Sequence, residues 1–569
     1  MTVPHESYVD DIAYVFGYCD ELNPLRIKLP LLAAGMAPPT VATACELGFG
    51  QGISVNIHAA GSATHWYGTD FNAAHARLAG QLASQAGSHA QLSAERFADF
   101  CQRDDLPDFD FIGMHGIWSW VSEENRAVIL EFLRRKLKPG GVLYVSYNTQ
   151  PGWATMMPVR ELMHEHFATT APDPADADKT AQARMDTRVR AALDFTRSVF
   201  EAQPGYAVVN PLLAERVETL FDESTDYLAH EYFNGDWQPM AFSRVAASLG
   251  SAAGLTFAGS AHYRDHVDEL NLTRAQIALL AGIADTSLRE TTRDFCMNQS
   301  FRRDYWIKSP RQLDDAEQQA AFDTHRVMLA LPRASVVLKA SRALGEATLP
   351  EATFGPILDA LADHRPATLR RVGEAVRDRG LSPAQVLKAT MLLVSMGVLL
   401  NVQDDAQIEA SRPAAARLNR ALLQYARHHG SMQWLVSPVT SSGVRLSRVQ
   451  QLFLLGRLER GELPAQWAEF AAGVLRMASP ATAAVSAVSA VSAVSETSET
   501  SESSESSESS ESSESSRTSA ASATSEVSTT QPVREPASPS AMPTEADLRV
   551  HAHRFAEIHM PILEALGIA

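Results

Sequence analysis

Acids and glycines stand together on one short stretch of this chain. Glu46 closes an apolar run, and Gly48-Phe49-Gly50-Gln51-Gly52 follows it. Glycines let a backbone approach a ligand closely, and the helix start expected after them offers unpaired N–H groups. Two further acids stand just after later strands: Asp70, with Phe71 beside it, and Asp99, with Phe100 beside it. In nucleotide folds an acid after the second strand holds ribose hydroxyls, the role expected of Asp70. Asp99 is placed to accept from an adenine amino group. A glycine loop alone would also serve a dinucleotide, but a dinucleotide needs a cradle for its pyrophosphate. Three acids around one pocket favour a ligand with a sulfonium and an amino group and no diphosphate. That points to S-adenosyl-L-methionine, with S-adenosyl-L-homocysteine as the product. Asp70 and Asp99 also read as ordinary loop acids, since loops are rich in Asp; the spacing from the glycine loop favours the ligand role.

A second group marks the acceptor side: His115 and Trp118 after one strand, Tyr147 and Asn148 at the end of the next. Methyl transfer from a sulfonium to a nucleophile relies on positioning and desolvation. An amine nucleophile must be neutral, so the site must lower its pKa or take its proton. His115, which is also expected to touch the cofactor, reads equally as a base or as a group that fixes its loop. Trp118 and Trp120 can wall an alkylammonium by cation–π contact, although packing beneath a lid is the preferred reading for Trp120. Tyr147 and Asn148, at the end of the fifth strand, are the other candidates on this side. No Asn-Pro-Pro-Tyr sequence follows the fourth strand, which disfavours the exocyclic amine of a nucleic-acid base.

These residues need a sheet to hold them. From residue 41 the chain alternates strands and helices, the pattern of an α/β domain with a largely parallel sheet. Strands are expected at 41–47, 65–69, 91–96, 109–114 and 142–147, with helices at 53–60, 73–85 and 123–137. Pro139-Gly140-Gly141 reads as the turn before the fifth strand. Ligands in such sheets lie beyond the carboxyl ends of the strands. Residues 1–153 therefore make the cofactor-binding domain, after a mostly helical lead-in over 1–40. Residues 154–236 read as a helical lid or insertion, broken at Pro172-Asp173-Pro174 and carrying a long helix over 181–200. Residues 237–310 form a further unit whose helix, glycine turn and strand at 239–263 return to complete the sheet; 271–310 reads as helical. Residues 311–478 read as helical, with a winged-helix-like arrangement over 325–402 and further helices after it. At 479–542 the composition changes to Ala-Val-Ser and then Ser-Glu triplets. That stretch cannot bury a core and is expected to be a disordered spacer. A final helix starts at the N-cap Thr544 and presents an apolar face to some partner surface.

A chain of 569 residues is long enough for several domains. Its net charge of −18 disfavours general nucleic-acid binding. The four cysteines are scattered, which disfavours a zinc site or disulfide framework and suits a reducing cytoplasm. No signal peptide and no bilayer-spanning run is read, and a homodimer is compatible with the sequence.

Residues 46–52, then Trp66-Tyr67-Gly68-Thr69-Asp70-Phe71-Asn72, then Leu137-Lys138-Pro139-Gly140-Gly141-Val142-Leu143, resemble the ordered motifs of class I S-adenosylmethionine-dependent methyltransferases. The stretch 109–121, paired with 144–153, resembles the bacterial subfamily whose catalytic domain precedes a methyltransferase regulatory domain. His230-Glu231-Tyr232, Asp294-Phe295 and Phe301-Arg302 are similar to that second domain. The subfamily includes rickettsial-type protein-lysine methyltransferases. The resemblance implies a Rossmann-like fold, cofactor contacts from Glu46, Gly48, Phe49, Gly50, Gly52, Asp70, Phe71, Asp99, Phe100 and His115, and transfer to a protein lysine. Phe49 stands where relatives often have Cys. A small-molecule or glycan acceptor, or a non-catalytic regulatory protein that keeps the pocket, remains open.

Overall fold

The computed structural model describes residues 17–170, 180–342, 345–477 and 543–569. The start of the helical lead-in, the 172–174 break and the Ser/Glu spacer lie outside the described residues. Short 3-10 turns lead into α1 (Lys28–Ala33). Then come β1 (Thr43–Leu47), α2 (Ile53–Gly61), β2 (His65–Thr69), α3 (Ala73–Ala86), β3 (Gln91–Ser93), α4 (Phe97–Phe100), β4 (Phe109–Met114), α5 (Glu123–Lys136) and β5 (Leu137–Asn148). A helical stretch follows: α6 (Met157–Thr169), α7 (Ala181–Glu201), α8 (Gly205–Val209), α9 (Leu213–Thr219) and α10 (Thr225–Tyr232). The chain returns through α11 (Phe242–Ala253), β6 (Leu255–Ser260), α12 (Asp268–Asn271), α13 (Arg274–Ala281), α14 (Thr286–Met297) and β7 (Phe301–Lys308).

The seven strands form one sheet in the order β3-β2-β1-β4-β5-β7-β6. β1 to β5 are parallel, and β7 runs antiparallel to both β5 and β6. Side chains alternate across the sheet. Cys45, Ile112, Leu143, Val145 and Trp306 face α5 and α11, where Phe132, Leu133, Phe242 and Val245 close the core. Ala44, Phe111, Tyr144 and Tyr305 face the lead-in, α2 and α3. Three details differ from the sequence reading. Residues 301–308, read as helical, form β7: the helix stops at Asn298, which adopts a left-handed conformation, and the aromatic and β-branched residues beyond it suit a strand. Pro139-Gly140-Gly141 lies inside β5 at a shift in the β4–β5 register rather than in a separate turn. β3 stops at Ser93.

The helices from α6 to α10 share a core of their own, built around Met156, Met163, Val189, Leu193 and Leu228. Farther on, strands Arg326–Leu329, Ala367–Thr368 and Leu399–Val402 form a small antiparallel sheet beside helices Glu351–Asp359, Leu369–Ala375 and Pro383–Ser395. That is the expected winged-helix-like arrangement. A hairpin, Trp434–Ser437 with Ser442–Arg445, occupies part of the region read as purely helical. The last helices, Glu545–Arg554 and Met560–Ala565, bury Leu548, Phe555 and Leu563 against helices Arg448–Arg460 and Pro464–Met477. Among the described residues no helix is long and apolar enough to cross a membrane. Likewise, no group of three or more His, Cys, Asp or Glu is placed to hold a metal.

Trp306 is 2% exposed and stacks on Phe242. Trp306→Ala is expected to destabilise the protein by about 3–5 kcal/mol in urea unfolding; a change near zero would mean that β7 contributes little to this core. Two buried histidines predict a pH effect. Burial pushes His58 down to about 3 and His325 down to about 4. Below an imidazole's ordinary pKa, about 6.5, the unfolded chain binds protons that the native fold refuses, so stability falls as pH drops from about 6.5 towards these values. His58→Gln should make that fall shallower between pH 7 and 5, read from urea midpoints, and an unchanged slope would contradict this assignment.

Candidate functional site

The turn after β1 is shaped by left-handed glycines, with φ of +56° at Gly50 and +76° at Gly52. A Cβ on Gly52 would stand 2.4 Å from the Ala79 Cβ of α3, so a side chain there would push α2 off α3. A Cβ on Gly50 would meet nothing within 4 Å, so the loop's open side lies there. Asp70, at the end of β2, locks this turn: its Oδ2 accepts from the Gly50 N–H at 2.8 Å and its Oδ1 from the Asn72 N–H at 3.0 Å. Phe71 follows, partly exposed.

Glu46 is 3% exposed, and its Oε2 has no hydrogen-bond partner. Burial, reinforced by the Asp70 carboxylate, raises its pKa well above the ordinary range. An ammonium group arriving beside it would satisfy the orphan oxygen and restore the charged form. S-adenosyl-L-methionine carries such a group, and the open Gly50 backbone suits its carboxylate, so these residues fit that cofactor. The Phe49 ring is buried over Gly68 in the core, which leaves only its backbone for a ligand. Ile117, from the loop after β4, sits on Gly48, with the Phe97 ring close by.

At the ends of β4 and β5 a compact polar group gathers around His115. Its Nδ1 lies 2.8 Å from the Tyr144 hydroxyl, 3.2 Å from the Cys19 thiol and 3.3 Å from the Ser146 hydroxyl. The Ser146 hydroxyl accepts from the Gly116 N–H at 2.7 Å, which ties the loop to β5. Burial and the nearby Arg303 push His115 down to about 4, against an opposing pull from Glu21. The imidazole is therefore neutral near pH 7. With the Tyr144 hydroxyl placed to donate at Nδ1, the tautomer that fits carries its proton on Nε2. Glu21 is fully buried; its Oε2 accepts from Cys19, and its Oε1 lies 3.8 Å from both Arg303 and His262. Burial opposes its ionisation, yet Arg303, His262 and Arg26 outweigh that and hold its pKa well below the ordinary range.

Glu46, the glycine loop, Asp70 and His115 thus stand at neighbouring strand ends. Asn148 ends β5, 4% exposed, with its Nδ2 unpartnered. The other candidates read from the sequence take varied positions. Asp99 is exposed on α4, two residues after the Phe97 ring that lies close to Gly48. Phe100 packs against Phe132, and Trp118 lies in the same core. Tyr147 donates its hydroxyl to Asp304 at 2.8 Å, away from the His115 side. Trp120 packs near Trp237, and the Arg160 guanidinium already covers the Trp237 ring at 4.4 Å. Cys19, Glu21, Tyr144, Ile117 and Arg303 were not singled out in the sequence. None of them carries a local signal: Glu21 stands next to Asp20 in a lead-in that also holds Arg26 and Lys28.

Comparison with known proteins agrees with this geometry. A family model described as "Methyltransferase domain" matches residues 45–145, and one described as "Predicted methyltransferase regulatory domain" matches residues 224–308. The chain is 33% identical over 465 residues to the uncharacterized protein sll1526 of Synechocystis sp., covering 81% of this chain and 89% of that protein. It is 29% identical over 203 residues to the uncharacterized protein RP028 of Rickettsia prowazekii, covering 35% and 76% respectively. Among solved structures, PKMT2 from Rickettsia typhi in complex with AdoHcy superposes with a TM-score of 0.57 at 20% identity, covering 80% of this chain and 90% of that one. Asp70→Ala frees the Gly50 N–H, so calorimetric affinity for S-adenosyl-L-homocysteine should fall by about tenfold or more; equal affinity would remove Asp70 from the site.

Proposed function

The chain belongs to the class I S-adenosyl-L-methionine-dependent methyltransferases that carry a methyltransferase regulatory domain, and from that premise we propose that it methylates the side-chain amine of a protein lysine. When bound, the cofactor would supply a methyl on a sulfonium to a neutral amine, its sulfur leaving with the bonding electrons as a thioether. The chain's own residues do the rest. The glycine loop and Glu46 would hold the amino-acid end of the cofactor, and Asp70 fixes the loop and would face the ribose. Tyr144 and Ser146 set the rotamer of His115, which presents an Nε2–H donor.

The observation that carries the lysine reading is the neutral His115, desolvated at the ends of β4 and β5 beside the cofactor loop. Arg303 and Arg26 offset the Glu21 charge, and desolvation on entry lowers the pKa of the acceptor's amine. The fold shared with PKMT2 agrees with this reading. Neither Glu21 nor His115 has a pKa suited to a strong base. The proton is therefore lost to water before the amine docks, and the acceptor's own ionisation governs the pH dependence.

Incubating the enzyme with cell lysate and methyl-deuterated cofactor, followed by mass spectrometry, should place the label on protein lysines. Labelled small molecules or glycans instead would favour that class of acceptor, and cofactor binding without any turnover would favour a regulatory protein. For a labelled protein substrate, the rate should rise through the alkaline range with no ionisation near pH 6.5, and His115→Gln should lower kcat without moving the profile. A limb near pH 6.5 that vanishes in this variant would make His115 the base.

A further inference from the structure

A ligand-sized space lies at the β6 edge of the sheet. A cleft of about 390 Å³ opens between edge strand β6, the segment 265–268 and helices α13 and α14. Its volume falls within the range of small-molecule pockets. Neither His115 nor any residue of the glycine loop lines it, although Arg303, which stands beside Glu21, is shared with the methyl-transfer side.

The charges around it do not balance. Arg302, 6% exposed, donates to three carboxylates at once: Asp304 at 3.0 Å, Asp294 at 2.6 Å and Glu290 at 3.1 Å. Four arginines and five acids share the lining, and Arg302 alone serves three of those acids. Asp294 bears most of the consequence. It is 2% exposed, its Oδ2 has no hydrogen-bond partner, and burial pushes its acid up to about 7. A buried carboxylate oxygen without a partner is costly unless a donor arrives. Arg293 does not fill that role, because Asp268 and the Asp265 carbonyl already hold it. Ile277, Leu280 and Met297 add apolar wall, and Arg289 lies on the same lining with one long hydrogen bond, 3.5 Å to Thr286.

We propose that this cleft is a second ligand site, distinct from the methyl-transfer site, for a small ammonium-bearing molecule of amino-acid size. The ammonium pairs with Asp294 and Glu290, an apolar body rests on Ile277, Leu280 and Met297, and a carboxylate, where present, meets Arg289. An ammonium supplies the donors that Asp294 Oδ2 lacks.

Calorimetry on the full chain with three related probes tests each part. L-leucine carries both charges, isopentylamine only the ammonium, and 4-methylpentanoate only the carboxylate. Leucine and isopentylamine should bind, and 4-methylpentanoate should not. Asp294→Asn should weaken both binders about tenfold or more, while S-adenosyl-L-homocysteine affinity stays unchanged and reports an intact fold. Arg289→Ala should weaken leucine and leave isopentylamine alone. Ala281→Phe, which fills the rim without touching the Arg302 cluster, should abolish both, and it carries the test if Asp294→Asn fails to fold. The proposal is overturned if isopentylamine gives no heat, if 4-methylpentanoate binds as well as leucine, or if a folded Asp294→Asn or Ala281→Phe variant binds like the wild type.

Discussion

Seven consecutive residue pairs join β5 to β7, from Val142 with Ile307 to Asn148 with Phe301. This antiparallel ladder is the constraint on which both halves of the molecule depend. β5 ends at the catalytic side in Ser146, Tyr147 and Asn148, while β7 begins there with Phe301, Arg302 and Arg303. A strand sends successive side chains to opposite faces, so adjacent arginines serve different purposes. Arg302 turns to the face of Asp304 and Tyr147, and Arg303 to the face of Glu21. A one-residue slip in the ladder would exchange them and discharge both networks at once. The two regions matched by separate family models meet along these hydrogen bonds.

The cofactor loop shows how the chain prepares a site before anything binds. Asp70 spends hydrogen-bonding capacity on the Gly50 and Asn72 backbones, which freezes a turn that glycines alone would leave loose. Glu46 does the reverse and keeps an oxygen without a partner. A rigid cradle beside an unsatisfied acid lowers the ordering cost of binding and rewards a cationic ligand. The same logic recurs at Asp294, at the other end of the sheet.

The strand–loop–helix at 43–61 was legible because its signals are local: an apolar run, glycines, then a helix. Asp70 was legible for the same reason. β7 was not, since arginines within Phe301–Lys308 blur the alternation and a helix precedes it directly. Its edges pair with β5 and β6 and its faces are covered by α11 and the lead-in, all far away in sequence. Trp118, Phe100 and Tyr147 sat at plausible loop positions, but whether an aromatic lines a pocket or fills a core depends on what packs over it. Cys19 and Glu21 reach His115 across the whole first domain, and no local pattern announces such a contact.

The final helix carries a consequence of a different kind. Arg476 and Glu545 lie 3.5 Å apart, so the described residues on either side of 478–542 end close together. The entropy of closing a flexible loop grows only with the logarithm of its length, about 0.6 kcal/mol for each doubling. Gain or loss of Ser-Glu triplets by replication slippage would therefore cost the packed helices little. One residue inserted into the β5–β7 ladder would cost far more. The chain thus holds one tract where its length is free to drift and another where it is fixed.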